Sequence, residues 1–330
     1  MRVHMLSKLF AISIATALPA TVHAQSTSTS SGQAYPVKPV RIIVGFTPGA
    51  GVDIAIRLIA PRIGEALGQQ IVIDNRPGAG GNIGAELGAR APADGYTLFA
   101  GGAPAAISQT LYSKLGYDLL KDFETVALVA SVPNVLVVHP SLPAKSVKDL
   151  VAIARARRGE LSYASTGSGS TPHLIAEMLR MQADIQILHV PYKGTPQAVT
   201  DLISGNVTFM FANILSVLPH TQSGRLRPLA ITSAKRSPIV PNLPTVAETY
   251  AGFASGTWYG LMAPANTPRE IITRLNEVVT RVMQLPDIRE KFIAQGAEPL
   301  SGTPQEAAAF TRAEVAKWGK VVKASGARAD

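Results

Sequence analysis

Two glycine-rich segments are the part of this sequence best suited to bind a ligand. They are residues 45–51, GFTPGAG, and residues 77–82, PGAGGN, and each lies between a β-branched run and a stretch of helical character. The start of a helix presents unpaired backbone N–H groups and a partial positive charge, and glycine lets a ligand approach the backbone closely. The pair predicts an anion site in which two loops hold the ligand through backbone groups. The alternative is that both segments are ordinary tight turns.

A third segment, residues 165–173, carries hydroxyl groups at the start of another predicted helix. Ser170 or Thr171 can cap that helix, and Pro172 fits its first turn. The hydroxyl and N–H groups suit a second carboxylate or a polar end of a ligand. A well-capped helix in a polar turn is the alternative interpretation.

The sequence lacks the common local templates for catalysis. No serine has glycine both two positions before it and two positions after it, and neither glycine pair continues into a full dinucleotide fingerprint. The sequence also contains no Walker loop and no His-Glu-x-x-His motif. We therefore expect a protein that is not an enzyme and uses no cofactor or metal. The competing hypothesis is an exported serine hydrolase that uses Ser168 or Ser170 with His173.

Short strands alternate with helices around these segments. The strands and helices predicted in the first part of the chain are 40–44, 53–67, 71–73, 83–89 and 96–100. Such alternation is typical of an α/β fold with a parallel sheet. Asp53 lies where a first-turn acid pairs with free N–H groups, and Pro61 predicts a kink or an early end of the first helix.

A repeated unit predicts where the chain divides into lobes. Residues 135–140 lead through a proline into a helix at 147–156, and residues 258–264 lead through a proline into a helix at 269–282. If the two units are equivalent, the chain crosses twice between two lobes and forms a hinge and a cleft; chance similarity is the alternative. The predicted lobes are 35–133 with 258–330, and 134–257.

Composition and the N-terminal segment predict an exported protein. The 330 residues include 31 basic and 22 acidic side chains and no cysteine, which gives a formal charge of +9 and excludes disulfides, thiolate zinc sites and thiol catalysis. Residues 1–24 combine a basic start, an apolar run and a small-residue end, which predicts a signal peptide cleaved after Ala24. Residues 25–34 then form a flexible linker. No later apolar run reaches the length of a membrane span.

Motifs along nearly the whole chain resemble those of the Bug family, the substrate-binding proteins of tripartite tricarboxylate transporters. The motifs are GFTPGAGVD at 45–53, NRPGAGG at 75–81, DGYT at 94–97, VPYKG at 190–194, PTVAE at 244–248, WYG at 258–260 and GAEP at 296–299. The resemblance implies a two-lobed periplasmic binding protein of the type II, Venus-flytrap fold, in which each lobe is a mainly parallel sheet flanked by helices. It also implies that the protein captures a dicarboxylate, an aromatic acid or an acidic amino acid and delivers it to the membrane permease subunits of such a transporter.

The resemblance also implies the residues of the site. The glycine loops would hold the first carboxylate, the second lobe would contact the far end of the ligand, and Asp53 would order the first loop. The ligand-binding residues implied are Phe46, Pro48, Gly49, Ala50, Gly78, Ala79, Gly80, Gly81, Asn82, Thr166, Gly167, Ser170, Thr171, His173, Tyr192 and Asn213. The sequence departs from the family pattern at Thr47 and Ala50, so the methyl group of Ala50 is expected to change the shape of the pocket. Asn213 is a candidate for setting specificity.

The expected partners are few. We expect a periplasmic monomer that binds a small carboxylate and the permease subunits. The dense basic cluster of Arg155, Arg157 and Arg158 is interpreted as a solvated helix end, so no nucleic-acid partner is expected.

Overall fold

Two β-sheets organise residues 35–237 and 240–329, which are the residues described by the computed structural model. The strands are β1 (Val40–Val44), β2 (Ile71–Asn75), β3 (Thr97–Gly102), β4 (Phe123–Val132), β5 (Asn134–Val138), β6 (Ser162–Ser165), β7 (Leu188–Pro191), β8 (Phe209–Asn213), β9 (Arg227–Ile231), β10 (Thr257–Pro264) and β11 (Glu298–Pro299). The helices are α1 (Gly51–Leu67), α2 (Asn82–Ala89), α3 (Ala103–Leu111), α4 (Val147–Ala156), α5 (Thr171–Ala183), α6 (Thr195–Ile203), α7 (Ile214–Gln222), α8 (Arg269–Gln284), α9 (Pro286–Ala294) and α10 (Pro304–Ser325). The predicted signal peptide at 1–24, its cleavage after Ala24 and the linker at 25–34 lie outside the described residues.

The two sheets share one strand order. The first runs β2-β1-β3-β10-β4-β11 and the second runs β7-β6-β8-β5-β9. In each sheet the first three strands are parallel, and the fourth, β10 or β5, is antiparallel to both of its neighbours. The predicted equivalence of the units at 135–140 and 258–264 is confirmed, because they are these two strands. The α/β class is confirmed too, and so are the mainly parallel sheets, although each sheet is mixed because it includes an antiparallel strand, β10 or β5.

The limits of the lobes stay a prediction. The strands of the first sheet come from residues 40–132 and 257–299, and those of the second come from 134–231. However, the chain from Tyr35 onward packs as one compact unit. A single apolar cluster joins the two sheets and includes Val44 and Val132 from the first with Val135 and Met210 from the second. Apolar burial therefore holds the lobes together beside the cleft between them.

The first helix continues through its proline. Pro61 lies inside α1, which ends only at Leu67, where Gly68 adopts the left-handed conformation and donates backbone hydrogen bonds to the carbonyls of Glu65 and Gly64. The predicted early end at Pro61 is therefore wrong. Within residues 35–237 and 240–329, no helix combines the length and the apolar character needed to cross a membrane.

The two glycine loops touch each other. A Cβ atom on Gly45 would lie 2.6 Å from the carbonyl oxygen of Gly81, and one on Gly84 would lie 2.7 Å from the Cα of Gly45. These contacts are between backbones, which cannot move aside as a flexible side chain does. At these positions glycine is required for the approach of one loop to the other rather than for the approach of a ligand.

We predict that Gly45→Ala lowers the free energy of unfolding by about 1–3 kcal/mol, because the added methyl group overpacks a backbone contact. Urea denaturation measures the change. Gly256→Ala is the matched control, since the nearest atom to a Cβ there is the Val132 carbonyl oxygen at 3.9 Å. The control is expected to stay within about 0.5 kcal/mol of the parent protein. Equal effects of the two substitutions would contradict the proposed loop contact.

Candidate functional site

The starts of five helices meet at a cavity of about 40 Å³ between the two sheets. The lining residues that belong to these helix starts are Ala50, Gly51 and Val52 of α1, Pro104 of α3, Thr171 and Pro172 of α5, Thr195 of α6, and Asn213, which precedes α7. The shared strand order explains the convergence. The parallel strands of both sheets end at the cleft, and each is followed by a helix that begins there.

Four of these helix starts lack a side-chain cap. The residues before α1, α3, α5 and α6 are Ala50, Gly102, Ser170 and Gly194, and none of them accepts a capping hydrogen bond through its side chain. By contrast, Ser146 caps α4, which does not line the cavity. Uncapped helix starts leave backbone N–H groups and the positive ends of helix dipoles available to an anion. The residues that line the cavity include no Lys, Arg, Asp or Glu.

Asp53 and its partners order the first glycine loop. Its carboxylate accepts hydrogen bonds from the Gly49 N–H at 2.9 Å, from Arg57 Nε at 2.9 and 3.0 Å, and from Asn75 Nδ2 at 2.9 Å. Asn75 Nδ2 also donates to the Phe46 carbonyl at 2.9 Å. Burial raises the pKa of Asp53, but the hydrogen bonds from Arg57, Asn75 and Gly49 lower it further, so the net pKa lies below the ordinary value. Asp53 thus stays ionised and holds the loop.

Loop 166–170 in the second lobe rests on a stack of aromatic rings. The rings of His173 and His189 stack at 4.3 Å, and the ring of Tyr163 stacks on His189 at 4.9 Å. His189 Nε2 lies 2.6 Å from Ser165 Oγ, and His173 Nδ1 accepts a hydrogen bond from the Gly169 N–H at 3.2 Å. The two histidines therefore hold loop 166–170 in place through these contacts.

The ring stack leaves no serine–histidine pair of the kind the hydrolase hypothesis needs. Ser170 Oγ donates to the Gly167 carbonyl at 2.7 Å, and His173 Nδ1 is occupied by the Gly169 N–H. Ser165, which contacts His189 in the stack, is fully buried. Ser170 precedes α5 as predicted, but its hydroxyl does not cap the helix.

Asn213 and Tyr259 form a polar wall of the cavity. Asn213 Oδ1 accepts the Leu215 N–H at 3.1 Å, and Asn213 Nδ2 donates to the Tyr259 hydroxyl at 2.8 Å. Burial raises the pKa of Tyr259 far above its ordinary value, although the hydrogen bond from Asn213 lowers it slightly. The phenol is therefore protonated, and because its oxygen already accepts from Asn213, its proton is available to a ligand.

The lobes also touch at the rim of the cleft. A Cβ on Gly80 would lie 2.9 Å from the Ser168 carbonyl oxygen, and a Cβ on Gly194 would lie 2.0 Å from Thr47 Oγ1. The Tyr112 hydroxyl lies within hydrogen-bond distance of the carbonyls of Ala79, at 3.3 Å, and Ser168, at 3.2 Å. These contacts bring the second glycine loop against loop 166–170.

The structure brings some of the predicted ligand-binding residues together. Those that line the cavity are Phe46, Ala50, Thr166, Thr171 and Asn213. Gly80 and Gly81 line a smaller neighbouring cavity of about 20 Å³. The predicted residues that line neither cavity are Pro48, Gly49, Gly78, Ala79, Asn82, Gly167, Ser170, His173 and Tyr192. Their contact with a ligand stays a prediction, and several of them have other partners. For example, Asn82, His173 and Tyr192 bond Tyr117, Gly169 and Asp201.

Sequence reasoning missed a larger group of lining residues. They are Val52, Pro104, Asn134, Thr195, Met210, Thr257 and Tyr259, whereas Gly51 and Pro172, which also line the cavity, lie in the predicted segments 45–51 and 165–173. The signal for Pro104 was present, because it follows the predicted strand at 96–100 and starts a helix. Thr195 directly follows the VPYKG motif at 190–194. Asn134 and Thr257 are polar residues that lie at the two predicted crossings between lobes. This position was the only indication in the sequence that they could line the site.

Comparison with known proteins assigns this architecture to a family. A sequence profile described as the tripartite tricarboxylate transporter family receptor matches residues 55–327. Protein BugT of Bordetella pertussis is 39% identical over 301 residues, which cover 90% of this chain and 92% of BugT. Such receptors bind substrates and are not enzymes.

Solved structures share the fold over almost their full length. A protein of R. palustris solved with adipate is 41% identical, with a TM-score of 0.86, and the match covers 89% of this chain and 99% of that one. The periplasmic binding protein BugD is 32% identical with a TM-score of 0.86, over 89% and 99% of the chains. MatC from Rhodopseudomonas palustris, solved with bound malate, is 32% identical with a TM-score of 0.83, over 87% and 100%.

The stacked histidines predict a pH dependence of stability. Burial, with a smaller contribution from the neighbouring His173, lowers the pKa of His189 to about 4, although Glu177 opposes the shift. An unfolded chain has a histidine pKa of about 6.5, so it binds more protons than the folded chain between about pH 6.5 and pH 4. The free energy of unfolding should therefore fall as the pH drops through this window, by at most about 1.4 kcal/mol per pH unit for one proton.

We predict that His189→Gln makes the melting temperature less dependent on pH between about 6.5 and 4, because the titrating ring is removed while a polar partner for Ser165 remains. His139→Gln is the control, because His139 pairs with Ser141 and lies outside the stack. Thermal denaturation across the pH range compares the three proteins. A slope for His189→Gln equal to that of the parent protein would contradict the role of the stack.

Proposed function

The chain belongs to the tripartite tricarboxylate transporter receptor family, and on that premise we propose that it captures a small carboxylate in the periplasm and delivers it to a membrane permease. The observation that carries the proposal is the cavity on which uncapped starts of α1, α3, α5 and α6 converge without a charged side chain. A carboxylate supplies the acceptor oxygens and the negative charge that such a site lacks.

Backbone groups alone supply enough binding energy for a transport receptor. A hydrogen bond to a charged group contributes about 1.5–3 kcal/mol. Three or four such bonds give roughly micromolar affinity once the costs of ordering and association are included. The Tyr259 hydroxyl adds a donor in the wall of the cavity.

The size of the cavity favours a short acid. Its volume is about 40 Å³, whereas one water needs roughly 10–15 Å³ on the same measure. The neighbouring cavity of about 20 Å³ shares Phe46, Val52, Pro104 and Tyr259 with it as a common wall. A longer acid would extend into this second space. Relatives solved with adipate and with malate support a dicarboxylate.

The proposal also covers secretion, oligomeric state and the contact with the permease. We propose that residues 1–24 direct secretion and are removed after Ala24, that the receptor is a monomer, and that lobes closed around a ligand present the surface which the permease subunits bind. The contact of Tyr112 with Ser168 joins the lobes across the cleft and would break when it opens.

We predict that a cognate acid at 100 times its Kd stabilises the protein by about 2.7 kcal/mol, because only the folded protein binds it. A thermal-shift screen of dicarboxylates, aromatic acids and acidic amino acids should then show melting temperatures that rise by several degrees. The matched control for each acid is its neutral amide, which has a similar shape but no charge and should give no rise. No shift with any small acid would contradict carboxylate capture.

We predict that Gly80→Ala lowers the affinity for that acid by roughly tenfold or more. The added methyl group would meet the Ser168 carbonyl and hold the lobes apart. Gly68→Ala is the matched control: the two glycines have nearly the same backbone angles, φ 66° and ψ 17° at Gly80 against φ 69° and ψ 18° at Gly68, but nothing lies within 4 Å of a Cβ on Gly68.

Isothermal titration calorimetry measures the affinity of both variants. The shared backbone strain should cost both a similar stability, while only Gly80→Ala loses affinity. If Gly80→Ala leaves the affinity unchanged, the contact between Gly80 and the Ser168 carbonyl is not part of the closed, ligand-binding state.

A further inference from the structure

Two buried polar atoms of residues that line the cavity have no hydrogen-bond partner among the described residues. They are Asn134 Oδ1 and Thr171 Oγ1, and the two residues are 0% and 1% exposed. Polar groups buried in proteins are almost always paired, so an unpaired one in a ligand cavity indicates what a ligand supplies. The Thr171 hydroxyl can donate to a carboxylate, whereas the Asn134 oxygen can only accept.

The position of the Asn134 side chain is fixed on both sides. Asn134 is the first residue of β5, and its backbone N–H donates to Thr232 Oγ1 at 3.1 Å while its carbonyl accepts the Thr232 N–H at 2.9 Å. Its Nδ2 donates to Thr257 Oγ1 at 3.0 Å. In this arrangement the amide nitrogen is paired with Thr257 and the amide oxygen has no partner.

Thr257 completes a pair of complementary groups. It lines the same cavity and is 5% exposed. Because its oxygen accepts from Asn134, its hydroxyl proton is free to donate. Asn134 Oδ1 and the Thr257 hydroxyl thus offer one acceptor and one donor beside each other, which is the complement of a ligand hydroxyl.

Resting on the proposed capture of a carboxylate, we propose that the substrate class is the hydroxy acids. The carboxylate binds at the helix starts, and the ligand hydroxyl donates to Asn134 Oδ1 and accepts from Thr257. A second carboxylate oxygen cannot take this place, because two acceptors would face each other. An ammonium group can donate to Asn134, but it cannot accept from Thr257.

This arrangement discriminates against acids that lack the hydroxyl. Such an acid leaves the Asn134 oxygen buried and unpaired, which weakens binding by about 10–100-fold. Sites built to bond a substrate hydroxyl reject analogues without it for the same reason.

Calorimetric titration of matched pairs of acids tests the proposal. The pairs are succinate with malate, glutarate with 2-hydroxyglutarate, and propionate with lactate, and aspartate is added as the amino counterpart of malate. In the pair that the cavity accepts, the hydroxy acid should bind about 10–100-fold more tightly than its partner, and aspartate should bind more weakly than malate.

Two variants identify the residues that cause the preference. Asn134→Leu, of similar volume, should reduce the preference for the hydroxy acid to about one. Thr257→Val keeps the shape of the side chain and should reduce the same preference. Thr267→Val is the matched control, since Thr267 is 6% exposed and donates to the Pro264 carbonyl at the far end of β10. It should keep the parent preference even where it lowers stability.

The possible outcomes distinguish the hydroxy-acid proposal from the proposal of carboxylate capture, on which it rests. Equal affinity for both members of the accepted pair, tighter binding of aspartate than of malate, or equal losses for both members in Asn134→Leu would each overturn the hydroxy-acid proposal while carboxylate capture stands. If no member of any pair binds, the hydroxy-acid proposal is overturned, and the broader screen of acids decides whether carboxylate capture falls with it.

Discussion

The structure depends on one electrostatic constraint, the convergence of unpaired helix starts on a small space between two sheets. Each parallel strand that ends at the cleft is followed by a helix, and the identical strand orders of the two sheets aim these helices at each other from both sides. An arrangement that brings the positive ends of several helices close together is energetically favourable only when a negatively charged group lies between them. The architecture therefore supports the proposed anion site, whose lining has no cationic side chain and includes helix starts from both lobes.

The groups around the cavity keep it free of competing charge. Asp53 lies in the first turn of α1, where a carboxylate is stabilised by the same N–H groups that a ligand needs. Its oxygens are instead occupied by Arg57, Asn75 and the Gly49 N–H. The acid thus holds the loop rather than filling the site. In the second lobe, His173 and His189 support loop 166–170, and their depressed pKa values keep them neutral near pH 7. Neither histidine therefore adds a net charge that would change with small changes of pH.

Much of the scaffold could be predicted from the sequence, and the reason is local. Helix α4 begins at Val147 and ends at Ala156, as the pattern of apolar residues predicts, and its cap Ser146 directly precedes it. The glycine loops were predicted for the same reason. The mixed sheets were not, because β5 and β10 enter antiparallel only after the chain has crossed between lobes. The stacking of His173 was not predicted, because it depends on His189, which lies further along the chain on β7. Asn134 and Thr257 are far apart in the chain and become a pair only in the folded protein.

In the function that we propose, capture and selection have separate physical origins. The formal charge of +9 acts over long distances and is screened by salt, so it can attract anions but cannot tell one from another. Backbone N–H groups hold carboxylates of many shapes, since they contact only the oxygens that all such acids share. Discrimination therefore requires a group that some acids satisfy and others do not. An unpaired acceptor does this more sharply than another donor would, because every carboxylate can fill a spare donor, whereas Asn134 Oδ1 is satisfied only by a partner that brings a proton to donate.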